Sequence, residues 1–381
     1  MAPSQNDPKV ELYPLGDFAL QSGEVLADAH LAYRTYGDPS LPAIVYPTWY
    51  SGTITAGNEW LIDTEDHPRK ALKPSQFFIV VPALFGNGES TSPSNAGPDM
   101  PKTTFYDNVR AQHLLLTEKF KKKTVIVLGW SMGAAQAFQW ASQYPDMVRL
   151  AVPFCGSART SPHNWVFLEA VKGAVTTDTV GYADGRYMEV HGCQPLAGLR
   201  ALGRVYAGWG FSQTFYRNDG FKKHFGIDGL ENVMVHFWEA WSTSKDANNM
   251  LHMLWTWQHG DIGAQPLYAG DSKRDVPVTE GGRLGVRGEG MSGLDDRDEA
   301  AFKRALSGIK CPVLVMPCSQ DLYFPPEDSL LEVKAIERAA FCPIESEWGH
   351  WAGGPGDSID DAQFVDEKIF AFFQENGLVN S

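Results

Sequence analysis

Cysteine is scarce and unpatterned in this 381-residue chain: five residues, at 155, 193, 311, 318 and 342, an odd number with no Cys-x-x-Cys pair. That scatter argues against a zinc framework or a disulfide scaffold and for reduced thiols in a cytoplasmic setting. Long apolar runs are missing too. No window approaches a membrane span, and Met1 to Leu12 has neither an apolar h-region nor an Arg-rich amphipathic stretch, so neither secretion nor membrane insertion is expected. The C-terminal Val379-Asn380-Ser381 is no peroxisomal or retention signal. Positive charge is in short supply as well. With 32 Lys and Arg against 46 Asp and Glu the net charge is −14, which disfavours nucleic acid or an anionic membrane as partner. The one basic run, Lys119 to Lys123, reads as a solvated helix end. There is no Gly-x-Gly-x-x-Gly opening the first crossover, no P-loop, no His-Glu-x-x-His and no cluster of metal ligands, so neither a cofactor nor a metal is expected.

What is present is a globular composition, 43% hydrophobic and 20% charged, long enough for one large core with an insertion. Residues 11–38 alternate as hairpin strands at a sheet edge, closed by Gly37-Asp38-Pro39. Short apolar runs at Ala43 to Tyr46, Gln76 to Val81, Val125 to Leu128 and Val148 to Phe154 have the length of buried parallel strands, and a helix is predicted between Tyr106 and Phe120. Strands alternating with helices call for a mostly parallel sheet, right-handed crossovers and helices on both faces. The rhythm stops after Ser157, where aromatic-rich helical stretches such as Phe237 to Trp241 and Met250 to Trp257 take over, and it resumes with Pro312 to Met316, a helix from Glu327 to Arg338, a strand from Ala340 to Ile344 and a closing helix from Asp361 to Gln374. The expected division is a core domain of residues 1–156 and 305–381 and a helical cap of 157–304, with a Gly-rich surface loop at about 270–298.

The chemistry centres on Val125-Ile126-Val127-Leu128-Gly129-Trp130-Ser131-Met132-Gly133, a strand running into Gly-x-Ser-x-Gly and directly into a helix. In such a nucleophile elbow the glycines let strand and helix pass closely and the serine hydroxyl projects above the sheet. Ser131 is the candidate nucleophile; its plainer reading is an ordinary turn serine whose glycines serve only backbone geometry. A serine hydroxyl needs a base near neutrality, and that base needs a carboxylate to orient it. In the α/β-hydrolase order the acid and the histidine follow on loops after late strands. Asp321 and His350 occupy those places. Each has a plainer reading, Asp321 as a turn or capping residue and His350 as a loop histidine. His113, His191, His224, His236, His252 and His259 fall on helices or in the insertion. The oxyanion formed on attack needs two backbone N–H donors, for which Met132 and Trp49 are placed, Trp49 serving otherwise as a pocket wall.

With these residues, Asp107-Asn108-Val109-Arg110-Ala111-Gln112, Ser131-Met132-Gly133-Ala134-Ala135-Gln136-Ala137, Trp140-Ala141 with Tyr144-Pro145, and Asp246-Ala247-Asn248, the chain resembles the homoserine O-acetyltransferase-like branch of the α/β-hydrolases over nearly its whole length. The resemblance implies the α/β-hydrolase fold with an inserted helical cap, an acyl-enzyme on Ser131, a Ser131-His350-Asp321 triad and a homodimer formed through the cap. Two departures matter. Homoserine acetyltransferases carry Arg in the first cap helix where this chain has Lys172, and Arg-Phe before Asp-Ala-Asn where it has Ser244-Lys245. Lysine lacks the bidentate fork of arginine for a carboxylate. The expectation is therefore an esterase-like serine acyl hydrolase of a small ester or thioester. The alternatives are an O-acyltransferase drawing on an ester or acyl-CoA, and a non-hydrolytic tailoring enzyme or binding protein that uses the same pocket. Tyr50, Trp130, Lys172 and Trp351 are the candidate pocket residues.

Overall fold

In a computed structural model describing residues 9–54, 58–63, 65, 67, 70–268, 297–354 and 356–379, eight strands form one sheet. They are β1 (Glu11–Ala19), β2 (Val25–Tyr36), β3 (Ala43–Val45), β4 (Phe78–Pro82), β5 (Val125–Trp130), β6 (Val148–Phe154), β7 (Val313–Val315) and β8 (Ala339–Phe341), in the order β1-β2-β4-β3-β5-β6-β7-β8. The β1–β2 and β2–β4 pairs are antiparallel and the remaining pairs parallel. The edge hairpin is as the alternation predicts, its tight turn lying at Leu20 to Glu24. Gly37 then ends β2, with φ of +81°.

Strand β5 is buried at all six positions, as a parallel strand with helices on both faces must be. Its side chains alternate between two apolar clusters: Val125 and Val127 join Val45, Val80, Phe138 and Val313 on one face, while Ile126, Leu128 and Trp130 join Ile44, Ile79, Leu150 and Leu314 on the other. The second cluster does not stop at the sheet. Phe167, Leu199, Leu202, Trp238, Leu254 and Trp257 of the insertion belong to it, so the cap and one sheet face share a single core.

The described part of the insertion is helical, including Pro162–Thr176, Leu196–Gly210 and Ala247–Gln258. Its helices start where short polar side chains take an orphan backbone N–H: Ser161 accepts from Asn164 at 3.2 Å and Asp246 from Asn249 at 2.9 Å. Close helix packing is permitted at Gly203, where a Cβ would lie 2.5 Å from the Trp238 carbonyl oxygen. The expected boundary at 304/305 falls within the helix Glu299–Ser307, whose Phe302, Ala305 and Leu306 pack into the first cluster; this helix belongs with the core. Nearly all of the Gly-rich stretch at 270–298 lies outside the described residues.

The basic run is the solvated helix end expected of it, with Lys119, Lys121 and Lys123 exposed, and two of its lysines also make contacts. Lys119 pairs with Glu11 at 2.9 Å and also bonds Tyr33, and Lys122 donates to the Leu41 carbonyl at 2.7 Å, so these lysines tie the edge hairpin and the entry to β3 to the end of their helix.

Glu332, on the helix Pro326–Ala335, is 4% exposed. One carboxyl oxygen accepts from the Ala158 N–H at 2.6 Å, seating the chain where it leaves β6 for the cap; the other has no hydrogen-bond partner among the described residues. Burial pushes its pKa from 4.5 to about 8. A raised folded pKa means that the native state holds a proton the unfolded chain releases. The stabilisation is complete below pH 4.5 and is lost as pH rises through about 8. Glu332→Gln, which retains the acceptor, is expected to melt close to the parent at acidic pH and several degrees above it on the alkaline side. A melting-temperature difference that stays constant across that range would refute this.

Candidate active site

The turn after β5 is a tight backbone passage. Ser131 adopts φ of +58° and ψ of −122°, and the helix Met132–Gln143 starts on the next residue. A Cβ on Gly129 would lie 2.3 Å from the carbonyl carbon of Gly133, and one on Gly156 would lie 2.6 Å from the Ser131 carbonyl oxygen. The conformation costs roughly 1–3 kcal/mol and persists because its surroundings over-determine it. The Ser131 N–H donates to the Phe154 carbonyl at 3.1 Å, and its own carbonyl accepts from Ala134 at 2.9 Å.

Parallel pairing continues past β7 and β8 as a bridge between Cys318 and Ile344, so the two following loops leave the sheet side by side. Asp321 comes three residues after the first of these and His350 six after the second. One Asp321 carboxylate oxygen accepts from the N–H groups of Tyr323 (2.8 Å) and Phe324 (3.2 Å); the other accepts from His350 Nδ1 at 2.7 Å. Because a carboxylate only accepts, the imidazole hydrogen sits on Nδ1 and leaves Nε2 as an acceptor facing Ser131 Oγ at 2.9 Å. Rings enclose the imidazole. Trp130 stacks on it at 4.9 Å and donates its indole N–H to the His350 carbonyl, while Tyr323 meets it edge-on at 4.8 Å.

Trp49 and Met132 flank the same serine. Among the hydrogen bonds of the described residues, neither backbone N–H donates to another protein group. Their relative placement is held by a buried chain of amides. Trp140 donates to Gln112 at 2.7 Å, Gln112 to Gln136 at 2.7 Å, and Gln136 to the carbonyls of Thr48 (3.0 Å) and Met132 (3.1 Å). Gln136 thereby connects the helix that starts at Met132 to the residue preceding Trp49. Their signal in the sequence is the appearance of glutamine on otherwise apolar helix faces.

A cavity of about 370 Å³ opens above Ser131 and His350. Of the pocket residues expected from sequence, Tyr50, Trp130 and Trp351 line it together with Trp49. Lys172 does not. It pairs with Glu169 at 2.5 Å, one turn back on its own helix face, where an i,i+3 neighbour is always within reach. The lysine that lines the cavity is Lys245, noted in the sequence only as a departure from the family pattern, and Tyr206 and Trp241 join it from the cap.

Residues 66–187 match the family described as alpha/beta hydrolase fold. Over 372 residues the chain is 33% identical to ethyl acetate hydrolase of Pseudomonas veronii, covering 95% of this chain and 94% of that protein. The chain belongs to the α/β-hydrolase family. Similar α/β hydrolases include an acetylester hydrolase of Corynebacterium glutamicum, whose crystal structure superposes with a TM-score of 0.81 at 29% identity over 96% of each chain. Another is a homoserine O-acetyltransferase of Mesorhizobium japonicum, 28% identical over 95% of this chain and 90% of that one. The protein is thus an esterase-like enzyme of the α/β-hydrolase family with acyltransferases among its relatives.

In this α/β hydrolase the Gly129–Gly133 contact admits no side chain, so Gly129→Ala is expected to cost on the order of 3 kcal/mol or more of stability. Gly173→Ala, on a cap helix with nothing within 4 Å of the added methyl, should be neutral or stabilising by up to about 1 kcal/mol. Calorimetric melting of the pair checks this; equal melting temperatures would remove the tight passage at the elbow.

Proposed function

We propose that this enzyme hydrolyses small esters through an acyl-enzyme on Ser131. The supporting observation is the unbroken hydrogen-bonded series Asp321–His350–Ser131 at the floor of an aromatic cavity. In the first half-reaction Ser131 Oγ attacks the ester carbonyl as its proton passes to His350 Nε2, and the carbonyl π electrons move onto oxygen. The resulting oxyanion lies toward the backbone N–H groups of Trp49 and Met132, donors of the kind worth roughly 3–4 kcal/mol each in acyl transfer. Collapse breaks the bond to the leaving alkoxide, which takes the proton from His350 and departs as alcohol. Water then gives its proton to His350 Nε2 and attacks the acyl carbon, and a second collapse returns the proton to Ser131 and releases the acid. Asp321 remains ionised throughout; it fixes the imidazole tautomer and stabilises the imidazolium.

A hydroxyl or amine acceptor entering in place of water would make the same steps a transfer, with an ester or acyl-CoA as donor, and the likeness to a homoserine O-acetyltransferase keeps that reading in view. Use of the pocket without the nucleophile is the remaining alternative. We also propose a homodimer formed through the cap, where Val180, Met188 and Val190 are exposed.

Ser131→Ala is expected to lower acetyl-ester hydrolysis by at least about 10³-fold, and Asp321→Asn by a similar order. A fluorophosphonate probe should add one equivalent of mass to the native protein and none to Ser131→Ala. An adduct that survives that substitution, or none on the native enzyme, would overturn the acyl-enzyme. With one acetyl donor and homoserine present, free acetate should dominate; acetylhomoserine as the main product would make it a transferase.

A further inference from the structure

The cavity contains a charge that its walls do not neutralise. Lys245 lies immediately before Asp246, which caps the helix Ala247–Gln258, and its side chain lines the cavity among the rings of Trp49, Trp130, Trp241 and Tyr206. Its ammonium makes one hydrogen bond, to the Ser51 carbonyl at 3.2 Å, which uses one of three donors on an uncharged acceptor. Among the described residues no carboxylate lies within ion-pair distance of it. The neighbouring Asp246 is committed elsewhere, one oxygen to the Asn249 N–H at 2.9 Å and the other to the Gln194 amide at 2.7 Å. Lys172, by contrast, is matched by Glu169.

A cation partly withdrawn from water without a counter-ion carries a cost, recovered when a ligand brings the opposite charge. Burial accordingly pulls the Lys245 pKa down. The position is also within a small molecule's reach of the reacting atoms. Ser51 is two residues beyond Trp49, a separation of at most about 7 Å along the chain, and the turn between them, closed by the Gly52 N–H on the Trp49 carbonyl at 3.0 Å, shortens it further. A substrate with its ester carbonyl at the Trp49 N–H can therefore extend a group a few bonds away to Lys245.

We infer that Lys245 forms a subsite for an anionic group, so that the esters this enzyme takes best are small ones carrying a carboxylate a few bonds from the scissile carbonyl. The inference rests on the esterase reading of the same cavity and adds the substrate class to it. Lys245 determines specificity and takes no part in bond making or breaking.

The test uses two nearly isosteric substrates, β-acetoxypropanoate and its neutral counterpart β-acetoxypropanamide, with acetate release followed for the full-length enzyme. The native enzyme is expected to prefer the carboxylate by at least about tenfold in kcat/KM, the order carried by one well-placed charge-assisted contact. Lys245→Met should abolish that preference, mainly through KM, and Lys245→Arg should retain most of it. An equal fall for both substrates would make Lys245 a brace for the Ser51 loop and overturn the subsite, as would a native enzyme indifferent to the charge. If neither ester is turned over, the esterase reading fails, and the subsite is then decided separately by calorimetric titration of Ser131→Ala with β-acetoxypropanoate. Binding that disappears in Ser131→Ala/Lys245→Met supports the subsite; equal binding, or none in Ser131→Ala, overturns it.

Discussion

Everything in the site depends on one backbone conformation, the left-handed turn at Ser131. A β-strand delivers its side chains alternately to two helix-covered faces, so a serine left in the strand would be buried on one of them. Turning the chain at positive φ, with the helix starting at once, lifts the hydroxyl out of both. That is possible only where neither strand nor helix carries a side chain, at Gly129 and Gly133, and where the neighbouring strand offers the Phe154 carbonyl to hold the Ser131 N–H. The strain is borne by two apolar clusters that bury strand β5 at every position.

The histidine is controlled in a different way, by enclosure. Asp321 accepts two backbone N–H bonds from its own loop before it meets His350, so the carboxylate is fixed by the chain segment that presents it. The imidazole in turn has Trp130 on its face and Tyr323 at its edge, both buried. Excluding water strengthens the hydrogen bonds to the ring and leaves few geometries for it to visit. The same indole holds the His350 carbonyl, and Trp130 is the residue before Ser131, so Ser131 and His350 are referenced to each other through one side chain.

Much of this was legible in the sequence because it is written locally. Apolar runs of strand length mark parallel strands, a glycine on each side of a serine marks the turn, and Asp321 and His350 stand directly after late strands. What could not be read depends on how distant segments meet. Lys172 and Lys245 are both lysines of the helical insertion. Which one looks into the cavity is decided by helix rotation against the sheet, and Glu169 one turn from Lys172 is the sole local hint. The insertion reads as a separate cap because its periodicity changes, yet its apolar side chains complete a cluster begun by Ile126 and Leu128. The Gln112–Gln136–Thr48 chain was visible only as polar interruptions of apolar faces; its purpose appears when two helices and a loop are brought together.

On the acyl-enzyme proposed above, the fused core bears on which acceptor the acyl group meets. A cap hinged on its own core could swing away to admit a large second substrate. Here Phe167, Leu199, Trp238 and Trp257 pack in one cluster with the sheet, so wholesale opening would expose much of that cluster to water at about 25 cal/mol per Å². The cavity of about 370 Å³ is bounded by residues of that same packing, Tyr206 among them. A bulky acceptor would have to break packing that also supports the sheet. On the acyl-enzyme proposed above, the partition between hydrolysis and transfer is set less by the Ser131–His350–Asp321 series, which would serve either equally, than by the stiffness of the roof above it.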